Sequence, residues 1–145
     1  MRLYLPLVLL VFLVVSGCDE AGMTASEMQD PGDAQSDATY RSGTFTPTQG
    51  LGKTAQGTAT LSTLSDGTLR VDFSEDFSVT HGPRLFVLLS NAEFPTDDAV
   101  ELGMFLRPAG GQTYAVPDSL SLDSYTHVLV HCIPYGVTFA YARLR

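Results

Sequence analysis

The feature that most constrains this chain is the spacing of its apolar runs after Arg41. Short apolar runs alternate there with clusters of Gly, Pro, Asp and Ser about every ten residues, and none repeats with the 3.6-residue period of a helix. Breaks at this spacing are typical of antiparallel strands joined by tight turns. The pattern therefore predicts one all-β domain over residues 41–145, an antiparallel sandwich or barrel of about eight strands.

One hairpin can be assigned in register, between residues 57 and 73. Residues 65–67, Ser-Asp-Gly, suit a three-residue loop with glycine in the left-handed conformation. That loop pairs Leu61 with Val71 and places the apolar residues of both strands on one face. A two-residue turn would pair Leu61 with Asp72 and mix the two faces, so we expect the longer loop.

The last hairpin is the best defined of the remaining elements. Its turn has proline at the second position and glycine at the fourth, as a type I turn prefers, in the run from Pro134 to Gly136. The continuous apolar run at 85–89 is too short for a helix, and we expect it to form a central strand. The predicted strands are therefore 85–89, 102–106, 113–116, 127–133 and 137–144.

The first 17 residues have the layout of an export signal. Arg2 precedes an apolar run over 3–15, which would make roughly 20 Å of helix and fall short of the roughly 30 Å bilayer core. The run ends in Val-Ser-Gly-Cys, a lipobox pattern that predicts cleavage and attachment of a diacylglycerol to Cys18. An uncleaved anchor would give the same attachment. We expect a lipoprotein held by membrane lipid on an extracytoplasmic face of a bacterial membrane, periplasmic or at the cell surface.

Residues 18–40 read as an acidic tether behind that lipid anchor. From residue 19 on, this stretch has six acidic residues and no basic one, among Ala, Ser, Gly, Thr and Gln. Low hydrophobicity with charge of one sign leaves too little apolar surface to offset the entropy cost of ordering. We therefore expect a disordered linker between the membrane and the β domain.

Charge and cysteine content exclude several classes of function. Without the signal, seven basic residues face sixteen acidic ones, which disfavours nucleic acid and anionic lipid headgroups as partners because both are bound through clustered Lys and Arg. With Cys18 acylated, Cys132 is the only thiol in the chain. An intramolecular disulfide is therefore excluded, and stability must come from an apolar core.

Short motifs follow one another in a specific order between Ser42 and Leu144. They include Gly43 and Phe45; His81-Gly82-Pro83 before an apolar strand; Gly111, Gln112 and Tyr114; and a closing block with Tyr125, Val128, Val130, Cys132, Val137 and Phe139. This succession resembles the electron-transfer DM-thirteen (DM13) domain, a small extracytoplasmic module. The resemblance implies that Cys132 acts in redox chemistry, as a bare thiol or as the ligand of a prosthetic group such as haem. Arg84 departs from it, because an acidic residue is expected after Gly-Pro.

Cys132 can also be weighed on its own chemistry. A lone strand cysteine is most often a small buried hydrophobe, and no Lys or Arg lies within ten residues of it in sequence. His131 is adjacent but should point to the opposite face of the strand. A bare thiol would cycle through sulfenic acid or a mixed disulfide with a redox partner protein. A haem would be held without covalent bonds, since no Cys-x-x-Cys-His motif exists, and Met104, His81 or His127 could provide its second axial ligand.

Metal binding and hydrolysis have weaker support. His127 and His131 would lie about 13 Å apart on a strand, too far to share an ion, so no metal site is expected. No Gly-x-Ser-x-Gly elbow is present, and we expect no independent catalytic activity. The sequence thus predicts a membrane-anchored electron-transfer module acting through Cys132, with His131, His81 and Met104 as auxiliary candidates. The alternative is a non-catalytic lipoprotein whose β domain binds a protein or ligand at the cell surface.

Overall fold

The computed structural model describes residues 39–50 and 52–145. The predicted signal peptide, the lipidation of Cys18 and most of the tether lie outside these residues. No helix within the described part is long and apolar enough to cross a membrane. The strands are β1 (Tyr40–Pro47), β2 (Ala55–Gln56), β3 (Thr58–Thr63), β4 (Leu69–Phe73), β5 (Ser78–Val79), β6 (Leu85–Ser90), β7 (Val100–Met104), β8 (Gln112–Ala115), β9 (His127–Cys132) and β10 (Val137–Arg143).

Eight of these strands form one antiparallel sheet in the order β7-β6-β9-β10-β1-β3-β4-β8, and β2 pairs separately with β5. Side chains link the β8 edge to the segment that leaves β7. The Leu106 amide donates to the Tyr114 hydroxyl at 3.3 Å, and the Gln112 amide donates to the Arg107 carbonyl at 2.9 Å. The sheet is thereby nearly closed into a barrel, and the prediction of an all-β antiparallel domain is confirmed.

The hairpin of β3 and β4 has the predicted register. Leu61 lies opposite Val71, and both are buried. Gly67 has a φ of 86°, in the left-handed region that glycine adopts without steric cost. The Leu64 amide donates to the Thr68 carbonyl at 2.8 Å and closes the three-residue loop. The alternation of apolar residues was therefore sufficient to set the pairing of this hairpin.

The final hairpin joins β9 to β10 through the predicted proline turn. The turn is a short 3-10 segment, Ile133–Tyr135, followed by Gly136 in the left-handed conformation with φ 62°. The Gly136 amide donates back to the Ile133 carbonyl at 3.2 Å. Further along β10, the pairing with β9 shifts between Thr138 and Ala140, which leaves Phe139 in a bulge.

The barrel is filled by apolar side chains, among them a cluster of aromatic rings. The rings of Phe45, Phe73 and Phe77 contact one another at centroid distances of 4.6 to 4.8 Å. Offset and edge contacts of this kind add to the hydrophobic stabilisation. Strand β9 is buried at all six positions, so both of its faces are covered. This is the strand that ends in Cys132.

Strand β7 differs from its predicted position, because it begins at Val100 and ends at Met104. Its pairing with β6 shifts between Val87 and Leu88. Past Met104 the Phe105 amide still bonds to β6, but the next amide, that of Leu106, turns to the Tyr114 hydroxyl. The apolar character of 105–106 suggested a strand, whereas these residues close the barrel.

Arg41 seals the end of the barrel at which the described chain enters. Its guanidinium donates to the Tyr125 carbonyl at 3.0 Å and the Leu144 carbonyl at 3.1 Å, with a longer contact of 3.4 Å to Leu122. Its side chain is 19% exposed. We call this the Arg41 end. Strand β9 starts here, since His127 lies opposite Arg143.

Candidate functional site around Cys132

Cys132 lies at the opposite end of β9, roughly 17 Å from the Arg41 end at the usual rise of a strand. It is paired with Leu85 of β6 on one side and Val137 of β10 on the other. Its side chain points into the barrel, is 1% exposed and belongs to the apolar core. Cys132 is also the free cysteine of the described residues.

A turn contacts the sulfur atom. This covering turn, residues 82–85, leads into β6, and the Cys132 thiol donates to the Pro83 carbonyl at 3.0 Å. Arg84 has a φ of 49° and is the one non-glycine residue with positive φ in the described part of the chain. Proline at the second turn position followed by a positive φ matches a type II turn, which favours glycine or asparagine where Arg84 stands. The cover over the thiol is thus a strained turn.

The covering turn is held against β10 by an aromatic contact. A Cβ atom added at Gly82 would lie 2.6 Å from the ring of Phe139 and 3.2 Å from Leu85, so only glycine fits without a shift. The Lys53 ammonium lies 5.1 Å from the centre of the Phe139 ring and donates to the Thr138 carbonyl at 3.1 Å. The bulge in β10 therefore positions the ring that packs on the turn.

A surface groove of 300 Å³ lies on the outer side of the covering turn. We call it the thiol-side groove. Two auxiliary candidates from the sequence, His81 and Met104, both line it, together with Pro83, Arg84, Leu106 and Arg107. Met104 is 59% and Leu106 is 67% exposed. The structure thus brings His81 and Met104 to one place, separated from the sulfur by Pro83.

His131 lies on the other face of β9, as the strand alternation predicts. Its Nδ1 atom is 3.0 Å from the Thr138 hydroxyl, and burial lowers the pKa of its imidazole. His127, at the far end of the strand, is 2.8 Å from the Thr126 hydroxyl, and burial likewise lowers its pKa. Neither imidazole reaches the Cys132 sulfur.

The site does not fit haem or a metal ion as it stands. A metal bound to a thiolate lies about 2.3 Å from the sulfur, and the Pro83 carbonyl occupies the position beside Cys132 at 3.0 Å. Within residues 39–50 and 52–145, no three His, Cys, Asp or Glu side chains are grouped closely enough to hold an ion. In this structure the sulfur of Cys132 therefore contacts a backbone carbonyl and no candidate metal ligand.

A larger depression of 610 Å³ lies elsewhere, next to Tyr141 and Arg143. It is polar, and none of the site residues predicted from the sequence lines it. This depression is larger than the thiol-side groove. Two of the residues suggested by the sequence, His81 and Met104, nevertheless line the thiol-side groove, which includes Pro83, the hydrogen-bond partner of Cys132.

Sequence reasoning missed the two arginines that line the thiol-side groove. It counted charges along the chain, but Leu85 pairs with Cys132 and so brings the neighbouring Arg84 to the same end of the sheet. Arg107 reaches the groove from the segment that closes the barrel. The role of Pro83 depends on a backbone carbonyl and has no signature in the sequence. Only the Gly-Pro pair before an apolar strand indicated a turn there.

The fold and site define a class: a nearly closed antiparallel β domain with one cysteine buried under a turn. The family model for the electron-transfer DM13 domain matches residues 47–144. The chain belongs to this family, which confirms the resemblance seen in the sequence. No curated protein shows significant similarity to the chain, and no solved structure does.

Proposed function

We propose that this protein is an extracytoplasmic, membrane-anchored electron-transfer module in which Cys132 is the redox-active group, as a bare thiol. Membership of the DM13 family supports the electron-transfer role. The observation that carries the assignment to Cys132 is the position of Pro83, whose carbonyl accepts the thiol hydrogen bond and which also lines an open groove.

The chemistry requires the covering turn to move. Once the Cys132 thiol leaves the Pro83 carbonyl and loses its proton, its thiolate can attack a disulfide of a partner protein. A new sulfur–sulfur bond forms to Cys132, the partner's bond breaks, and the released partner sulfur takes up the proton. The Cys132 sulfur is thereby oxidised by one level, the released partner sulfur is reduced by one level, and the product is a mixed disulfide between the two proteins.

The anchoring part of the proposal is supported by the first 18 residues, whose apolar run and lipobox are typical of lipoproteins. An acyl group on Cys18 would hold the domain on the membrane. Mass spectrometry of protein extracted from membranes tests this directly, and an unmodified N-terminus at Met1 would contradict it.

The test of Cys132 uses the full chain in detergent and measures how fast its thiol is modified by a small disulfide under native conditions. We expect slow modification of the native protein and none of Cys132→Ser. Gly82→Ala should raise the rate about tenfold or more, because its methyl group pushes the turn off Phe139. Adding Phe139→Leu should return the rate toward that of the native protein.

The outcome that overturns the thiol proposal is modification no faster than global unfolding, in both the native protein and Gly82→Ala. A Soret band after haem addition that Cys132→Ser abolishes would contradict the bare-thiol form instead. Dimedone gives an independent readout, since peroxide should produce a trapped sulfenic acid at Cys132 only.

A second candidate function is non-catalytic binding of a protein or ligand. The observation that favours it is the exposure of large apolar side chains beside an almost fully buried thiol: Met104, Leu106, Ile133 and Tyr135. Exposed apolar groups that lie together mark interaction surfaces. Absence of both a thiol adduct and a haem band would favour this role.

A further inference from the structure

The thiol-side groove has the opposite charge to the chain as a whole. The chain has 16 acidic and 8 basic residues. The groove is lined by two arginines and one histidine, namely Arg84, Arg107 and His81, and by no Asp or Glu. A cationic surface on an acidic protein attracts anionic groups locally while the rest of the protein repels them.

Both arginines are able to bind a partner. Among the described residues, Arg84 has no carboxylate within 4.0 Å, and it makes no side-chain hydrogen bond there. The Arg107 guanidinium donates to the Gly111 carbonyl, and among the described residues it has no carboxylate oxygen within 4.0 Å, although the Glu75 carboxylate packs against Gly111. A guanidinium group that is not already paired with a carboxylate can form two parallel hydrogen bonds to the carboxylate of a partner.

The groove also has apolar groups between its charges. Met104 and Leu106 are more than half exposed. A methionine is adaptable in shape and common at surfaces that bind other proteins. Apolar contacts within a charged rim are the usual composition of a transient protein interface.

We propose that the thiol-side groove binds an acidic segment of a partner protein, with carboxylates on Arg84 and Arg107 and an apolar side chain against Met104 and Leu106. This inference rests on the proposed function, because the bound segment would present its disulfide to Cys132. An extended polyanion such as nucleic acid is a poorer match, since the acidic remainder of the domain would repel it.

The strained turn supports this assignment. Arg84 has a φ of 49°, a left-handed backbone conformation that disfavours residues other than glycine. Such strain is typically kept at binding and switching sites. Here it places a guanidinium on the segment that covers the thiol, so binding at Arg84 acts directly on the turn that must move.

The experiment compares two symmetric disulfide probes, the oxidised dimers of acetyl-Glu-Leu-Cys-amide and acetyl-Lys-Leu-Cys-amide. Each can add one tripeptide to Cys132 and release the other as a thiol, which mass spectrometry counts. Rates are divided by those of the uncharged thiol N-acetylcysteine amide with the same probe, to remove the intrinsic reactivity of the probe. At low salt we expect the acidic probe to react about tenfold faster or more, and salt above about 0.5 M to reduce that preference.

The variant Arg84→Glu/Arg107→Glu should reverse the preference. Its matched control, Arg143→Glu/Arg145→Glu, makes the same change in net charge with two exposed arginines at the Arg41 end, and should leave the preference near that of the native protein. Equal corrected rates for the two probes would overturn the docking proposal and leave the thiol proposal standing. No reaction with either probe would overturn the thiol proposal, and the docking proposal with it.

Discussion

The two ends of this barrel are closed in different ways. At the Arg41 end, one guanidinium binds three backbone carbonyls from segments far apart in sequence. At the Cys132 end, one turn with a strained arginine rests on a thiol hydrogen bond and an aromatic ring. The first closure joins several segments of the chain. The second depends on the few contacts that one turn makes with Cys132 and Phe139.

This difference shows how a small β domain can be stable and still have a site that opens. Hydrogen bonds to a charged group are worth about 1.5–3 kcal/mol, and breaking them leaves several carbonyls without a partner. A neutral thiol bond to a carbonyl is weaker. We therefore expect the Arg41 end to open only with global unfolding, and the Cys132 end to open locally.

The largest effect is expected from Arg41→Ala. It removes the donors of three carbonyls in a site where the side chain is 19% exposed, and should lower the free energy of unfolding by about 2–3 kcal/mol. Thermal unfolding followed by circular dichroism measures this. Arg41→Lys keeps the positive charge but loses the planar set of donors, so its free energy of unfolding should lie between those of the native protein and Arg41→Ala. A loss below about 0.5 kcal/mol would show that this end is not held by Arg41.

A smaller effect of opposite sign is expected from Arg84→Gly. Glycine removes the left-handed strain of about 1–2 kcal/mol, partly offset by its greater freedom in the unfolded chain, for a net gain of about 0.5–1 kcal/mol. Arg84→Val should lose stability, because a branched side chain fits this backbone worst. Urea unfolding of the three proteins gives the order, and an order with valine above glycine would contradict strain at the covering turn.

The smallest expected effect is on the pH dependence of stability, through His131 on strand β9, which joins the two ends. Burial lowers the pKa of His131 below its unfolded value of about 6.5, so the unfolded chain binds protons first as the pH falls. Stability from this source is complete above about pH 6.5 and declines below it. In His131→Gln, whose amide can still bond to Thr138, the midpoint of thermal unfolding should fall less between about pH 7 and 5.5. An unchanged pH dependence would mean that His131 is accessible to protons in the folded state.

Local signals in the sequence predicted much of the fold. The alternation around Leu61 and Val71 selected one register, and proline followed by glycine located the last turn. These features depend on residues close together in the chain. The lone cysteine was found for the same reason, because its place in the closing strand could be seen directly.

Features made by distant residues could not be predicted in this way. Arg41 binds carbonyls more than 80 residues away. The exposed groove forms where the covering turn meets the segment after β7, and its charge depends on Arg84 and Arg107 coming together. Backbone carbonyls, which accept the key bonds at both ends, are present at every residue and so give no pattern.

The burial of Cys132 has a consequence for purified material. Two sulfur atoms must approach to about 2.05 Å to cross-link, and a thiol that is 1% exposed cannot meet its counterpart on a second molecule. Covalent dimers through Cys132 can form only from molecules in which its sulfur has become exposed. The rate at which such dimers accumulate during storage in air then reports how often the Cys132 sulfur becomes exposed.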